Sequence, residues 1–117
     1  METKTLVEKI VKVLDDKKAE EIKVIKISEL TVMSDYFIIA NGTSNTHVRA
    51  LAEEVEDVIA SEGEEARSIE GRSTGWILLD YSEVVVHIFT PRDREYYNLE
   101  RLWQDGEEID ISTLISE

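Results

Sequence analysis

The chain has 117 residues, of which 42% are hydrophobic and 33% charged, a size and balance that fit one globular domain with a single core. It contains no cysteine, which excludes a disulfide framework, a thiolate nucleophile and a cysteine-type zinc site. The formal net charge is −13, and the acidic excess lies beyond residue 27, which disfavours binding to phosphate backbones and serves either plain solubility or encounter with a basic partner.

The opening M-E-T-K-T-L-V-E-K lacks the basic-then-apolar layout of a signal peptide. No apolar stretch approaches the roughly 20 residues that span a bilayer, so a cytoplasmic location is expected. Residues 2–18 carry Leu6, Val7, Ile10, Val13 and Leu14 at helical spacing, with lysines largely opposite. Ile22 to Ile27 reads as a short strand and Ser28 to Ser34 as a connector. Tyr36 to Ala40 is apolar throughout, the mark of a strand buried on both faces at the centre of a sheet. Asn41 to Ser44 is a turn. A helix follows, with Val48, Leu51, Ala52, Val55, Val58 and Ile59 on one face and a stop at Gly63. Ala66 to Ile69 predicts another strand, and Glu70 to Gly75 an approach to the next element.

Gly75 to Phe89 (G-W-I-L-L-D-Y-S-E-V-V-V-H-I-F) predicts a β-hairpin. A two-residue loop at Tyr81 and Ser82 sorts its side chains onto two faces. One is aliphatic core: Ile77, Leu79, Val84, Val86 and Ile88. The other holds Trp76, Leu78, Asp80, Glu83, Val85, His87 and Phe89, too apolar to leave wet and too polar for an ordinary core. A helix of the same chain or a partner must cover that face. Thr90 and Pro91 then match N-cap and N1 of a helix running toward Asn98, with Leu99, Leu102 and Trp103 packing back. From Gln104 the chain is acidic, anchored by Ile109, Ile111, Leu114 and Ile115. The predicted order is αββαβββα, an α/β domain over residues 1–105 with a mixed β-sheet and helices packed on it, and an acidic tail at 106–117.

Four blocks occur in order: D-Y-F-I-I-A-N-G-T-S-N-T-H-V-R-A-L (Asp35 to Leu51), G-W-I-L-L-D-Y, V-V-V-H-I-F and R-E-Y-Y-N-L-E-R-L-W-Q-D (Arg94 to Asp105). Together they resemble the ribosomal silencing factor family, also called RsfS or Iojap, from about Glu21 to Asp105. Asn41 stands where that family usually has Thr or Ser, Ser82 for a turn Gly, Asn98 for an Asp and Gly106 for an Ala. The resemblance implies a sheet related in topology to nucleotidyltransferases and a regulator without enzymatic activity. It further implies docking on the large ribosomal subunit through ribosomal protein fourteen. There the factor sterically blocks joining with the small subunit and lowers translation when nutrients are scarce.

The remaining motifs offer an enzyme alternative. Gly42-Thr43-Ser44-Asn45, between a strand and a helix, is either a phosphate-holding turn or a simple capping turn. It lacks the glycine spacing and lysine of a P-loop. A nucleotidyltransferase needs two acids one residue apart on a strand to grip a metal, and no predicted strand supplies them. His47 and His87 lack zinc-ligand spacing and read as structural imidazoles, and neither Ser44 nor Ser73 sits in a nucleophile elbow. No cofactor or metal is expected. The candidate partner-binding residues are Arg72, Trp76, Leu78, Asp80, Tyr81, Val85 and His87, since Trp, Tyr and Arg are enriched at interface hot spots. Val85 and Phe89 fit either core or contact, whereas Tyr96, Tyr97 and Trp103 read as core from their helical spacing. A second copy of the chain is the other occupant considered for the Trp76 face, giving a homodimer.

Overall fold

Helical apolar spacing gives α1 (Thr3–Asp16) and α2 (Asn45–Ser61) one buried stripe each, formed by Leu6, Val7, Ile10, Val11 and Leu14 and by Val48, Leu51, Ala52, Val55 and Ile59. The computed structural model describes residues 2–27, 35–71, 75–98 and 106–112. Within these the other elements are β1 (Glu20–Lys26), β2 (Tyr36–Asn41), β3 (Ser68–Glu70), β4 (Trp76–Asp80), β5 (Val84–Phe89), α3 (Pro91–Tyr97) and β6 (Glu107–Ile109). The expected connector at Ser28 to Ser34, and the packing of Leu99, Leu102, Trp103, Leu114 and Ile115, lie outside the described residues.

The strands form one mixed sheet in the order β3-β4-β5-β2-β1-β6. β2 and β5 run parallel, with Phe37 beside Val85 and Ile39 beside His87, and the other pairings are antiparallel. β2 and β5 are the two central strands. β2, the strand expected at the centre, is buried from Ile38 onward, and β5 beside it is buried at all six positions, His87 included. The single-domain α/β architecture and the mixed sheet with packed helices are as expected. One element is added: Glu107–Ile109, in the stretch read as acidic tail, pairs antiparallel with Val24–Lys26 and extends the sheet.

Pleating divides the sheet into two faces. On one, Val24, Ile38, Ala40, Ile77, Leu79, Val84, Val86 and Ile88 form the main core with the stripes of α1 and α2. On the other, Ile25, Ile27, Ile39 and Phe89 form a smaller cluster, flanked by the half-buried Phe37 and Trp76. The aliphatic and mixed faces of the β4–β5 hairpin are thus the ones expected.

The hairpin loop is placed differently. Tyr81 N–H donates to the Val84 carbonyl at 2.9 Å and Asp80 sits opposite Val85, so the loop is Ser82–Glu83 and not Tyr81–Ser82. The register differs by two residues, which leaves the alternation of faces unchanged. Its consequence falls on Tyr81, which becomes a further strand-like position on the core face and is buried there.

Two devices fix the ends of β2 and β5, where the mixed face is built. After β2, the chain turns so tightly into α2 that a Cβ on Gly42 would lie 2.8 Å from the Val48 nitrogen, so glycine is required there. Ser44 then caps α2, its hydroxyl accepting the His47 N–H at 3.1 Å. After β5, Thr90 caps α3 through the Asp93 N–H, and Pro91 opens the helix, both as expected.

Candidate partner-docking site

α3 lies over the mixed face at the Phe89 end of the sheet. Its buried Arg94 donates from Nη1 to the Glu21 carbonyl, at a β1 residue with φ +52°, and to Asn41 Oδ1 at 3.0 Å. One guanidinium therefore ties α3 to the irregular start of β1 and the last residue of β2. Thr90 N–H donates to the Gly75 carbonyl at 2.8 Å, which ties the same helix to the start of β4.

This placement brings Tyr97 onto Trp76, with ring centroids 4.5 Å apart. Beneath, Trp76 stacks on Phe89 at 5.1 Å, and its indole N–H donates to His87 Nδ1 at 3.1 Å. His87 in turn meets the Phe37 ring edge-on at 4.9 Å. Tyr96, 81% exposed, packs edge-on against Tyr97, itself 45% exposed. The result is an aromatic patch of Trp76, Tyr97 and Tyr96 with its supports buried and its outer rings in solvent. An amphipathic aromatic surface of this kind suits protein docking.

The structure sorts the expected site residues into three groups. Trp76 and Leu78 are half-buried on the mixed face. Val85 and His87 share that face but are buried, 9% and 4% exposed, and lie behind the surface. Asp80 is also on this face, yet its carboxylate already accepts the Ser82 N–H at 2.7 Å and pairs with Arg67 at 2.9 Å. A basic partner group would exchange with the mostly exposed Arg67. Tyr81 does not join the patch, because the loop position turns it into the core beneath the helices. Arg72 lies outside the described residues.

Tyr96 and Tyr97 were expected in the core from helical spacing, and the structure corrects this. A helix of seven residues seated at one end of a sheet has room to bury Arg94 but not the next turn's two tyrosines. Spacing could not reveal this, because adjacent residues are buried together elsewhere in the chain, as Leu6 and Val7 are on α1.

Burial pushes the His87 pKa down to about 4, so the ring is neutral at pH 7. With Nδ1 accepting the indole N–H, the ring proton lies on Nε2. Burial, then the charges of Glu56 and Glu64, push Tyr81 up to about 12. Among the described residues, His87 Nε2 and the Tyr81 hydroxyl are the buried side-chain atoms without a hydrogen-bond partner.

In the Gly42–Asn45 turn the Gly42 N–H donates to the Phe89 carbonyl at 2.8 Å. Thr43 N–H donates to His47 Nδ1 at 2.8 Å, and His47 Nε2–H donates to the Lys17 carbonyl at 2.9 Å. His47 therefore fastens the turn to the C-terminus of α1, the structural role expected for it. Among the described residues no group of three His, Asp or Glu side chains is placed to hold a metal, and no helix is long and apolar enough to cross a membrane.

Fold and patch together define a small mixed α/β domain that presents half-exposed aromatic rings on a sheet face of a strongly acidic chain. The comparisons agree with that class. The chain matches, over residues 1–117, the sequence profile of the family described as ribosomal silencing factor during starvation, RsfS. It is 36% identical over 117 residues to ribosomal silencing factor RsfS of Halalkalibacterium halodurans, covering 99% of this chain and 100% of that one. It is 39% identical over 98 residues to ribosomal silencing factor RsfS of Bacillus subtilis, covering 83% of each. A crystal structure of a Chromobacterium violaceum protein superposes with a TM-score of 0.86 at 34% identity, over 89% of this chain and 88% of that one. This chain belongs to the ribosomal silencing factor (RsfS) family.

Proposed function

We propose that this chain acts in the cytoplasm as a regulator of translation that docks on the large ribosomal subunit, through its basic ribosomal protein fourteen, and blocks joining with the small subunit. Occupancy alone performs this, and no reaction is required. The observation that carries the reading is the Trp76–Tyr97–Tyr96 patch: a half-exposed indole held from beneath and above on a chain of net charge −13. Trp76 and Leu78 supply the apolar anchor, and the acidic surroundings suit a basic partner.

Co-sedimentation of the protein with separated large subunits tests this, with and without small subunits. Binding to the large subunit and a fall in joined ribosomes are expected. Trp76→Glu should remain folded and lose binding by roughly 30- to 1,000-fold, the loss of a 2–4 kcal/mol hot spot. A folded Trp76→Glu variant that binds normally removes this surface from the reading. Sedimentation of the free protein across a dilution series reports whether a second copy covers the same patch.

A further inference from the structure

We propose that His87 is a positioning residue for docking: buried behind the surface, it holds the Trp76 indole in the orientation that the partner meets. This rests on the docking reading above. His87 comes from the centre of β5, on the mixed face, and is 4% exposed, so a rigid partner surface does not reach it. Its Nδ1 accepts the indole N–H from Trp76 at 3.1 Å, while the Phe37 ring stands edge-on against it at 4.9 Å. Phe89 and Tyr97 confine the indole by stacking, at 5.1 and 4.5 Å, and stacking alone tolerates sliding and ring reversal. The hydrogen bond removes that freedom, because only one ring orientation aims the indole N–H at Nδ1.

The arrangement carries a cost that packing does not explain. Accepting at Nδ1 forces the proton onto Nε2, and among the described residues that buried donor has no partner. A phenylalanine would fill the same space among Phe37, Phe89 and Trp76 without an orphaned donor. What the imidazole supplies, and a phenyl ring cannot, is the acceptor for Trp76. A side chain already held in its bound orientation loses less freedom on binding, so the gain appears as affinity for the partner and not as stability of the free protein.

Three proteins decide the matter: the wild type, His87→Phe and His87→Asn, whose amide oxygen stands near the Nδ1 position. For each, urea unfolding, the 15N–1H resonance and water exchange of the Trp76 indole, and affinity for purified large ribosomal subunits are measured. The Trp76 resonance is assigned with Trp76→Phe. His87→Phe should be at least as stable as wild type, with its indole resonance shifted upfield and exchanging faster. Its affinity should be roughly two- to tenfold weaker, the effect of freeing one side chain. His87→Asn should recover the indole signature and most of the affinity. Unchanged affinity in a His87→Phe protein whose indole has lost the bond overturns the proposal. So does a parallel fall of stability and affinity that His87→Asn does not repair, which marks His87 as ordinary packing. If Trp76→Glu also binds normally, the docking reading fails and this proposal with it; if only His87→Phe does, this proposal alone fails.

Discussion

Ser82 sits at φ +75° at the tip of the β4–β5 hairpin, a left-handed conformation in which a Cβ meets the backbone. Its N–H donates to Asp80 Oδ1, which helps hold it there. Replacing it by glycine removes strain of about 1–2 kcal/mol and adds unfolded-state freedom of about 0.5–1 kcal/mol. Ser82→Gly should therefore stabilise the domain by about 0.5–1 kcal/mol, seen as a higher urea midpoint at unchanged slope. Lys18, at φ +70°, holds a comparable position at the end of α1, where its N–H and that of Ala19 donate to the Asp15 and Leu14 carbonyls. His87 gives a second test at this scale. Its pKa is about 4 when folded and about 6.5 when unfolded, so the unfolded chain takes up the proton first as pH falls. The stability tied to the neutral ring is complete above pH 6.5 and is lost on the way down to pH 4. From this group alone the domain should be on the order of 2–3 kcal/mol less stable at pH 4.5 than at pH 7. His87→Phe should be free of that part of the acid limb, as urea unfolding at the two pH values would show.

At the scale of elements, α3 is the part that turns a sheet face into a patch, and hydrogen bonds tie it to the strands beneath. Arg94 links it to Glu21 and Asn41, and Thr90 links it to Gly75. A Cβ on Gly75 would stand 2.6 Å from Asp93 Oδ2 and 3.0 Å from the Thr90 hydroxyl, against the first turn of the helix. Gly75→Ala should turn the Asp93 carboxylate aside and crowd the Thr90 cap, at a cost of about 1 kcal/mol. Arg94→Leu strands the Glu21 carbonyl and the Asn41 side chain. A loss of roughly 2–4 kcal/mol is expected, from two hydrogen bonds to a charged donor. Thermal unfolding measures both. A patch that survives Arg94→Leu, judged by an unmoved Trp76 indole resonance, would show that α3 is held mainly by other means.

Over the whole molecule, charge and apolar contact divide the labour in the docking we propose: the acidic excess would act at a distance and govern encounter, and Trp76 would act on contact and govern how long the complex lasts. Association with large subunits should slow by roughly tenfold as ionic strength rises from about 50 to 200 mM, because the Debye length falls below the spacing of the charges. Trp76→Ala should raise the dissociation rate and leave the salt dependence of association unchanged. Stopped-flow mixing with labelled subunits separates the two. Two lysines at the other side of the domain are paired within it: Lys9 of α1 with Glu62, and Lys17 at the end of α1 with Glu54 of α2.

Periodicity is a local property of the chain, and whatever depends on it alone was legible in the residues. The stripes of α1 and α2, the doubly buried centre of the sheet, the two faces of the hairpin and the Thr90–Pro91 helix start all follow from spacing or from one residue's chemistry. The family blocks from Asp35 to Asp105 were legible for the same reason. What depended on position in space was not. A register difference of two residues preserves alternation, so no pattern could tell a Tyr81–Ser82 loop from Ser82–Glu83, and with it whether Tyr81 faces a partner or the core. β6 is three residues of an acidic stretch, and it becomes a strand because β1 offers an edge to pair with. Tyr96 and Tyr97 are exposed because α3 ends over the rim of the sheet. His87 looked like a contact because it shares a face with Trp76. Only the tertiary structure, by covering the imidazole and aiming the indole N–H at it, decided that one ring meets solvent and the other holds it.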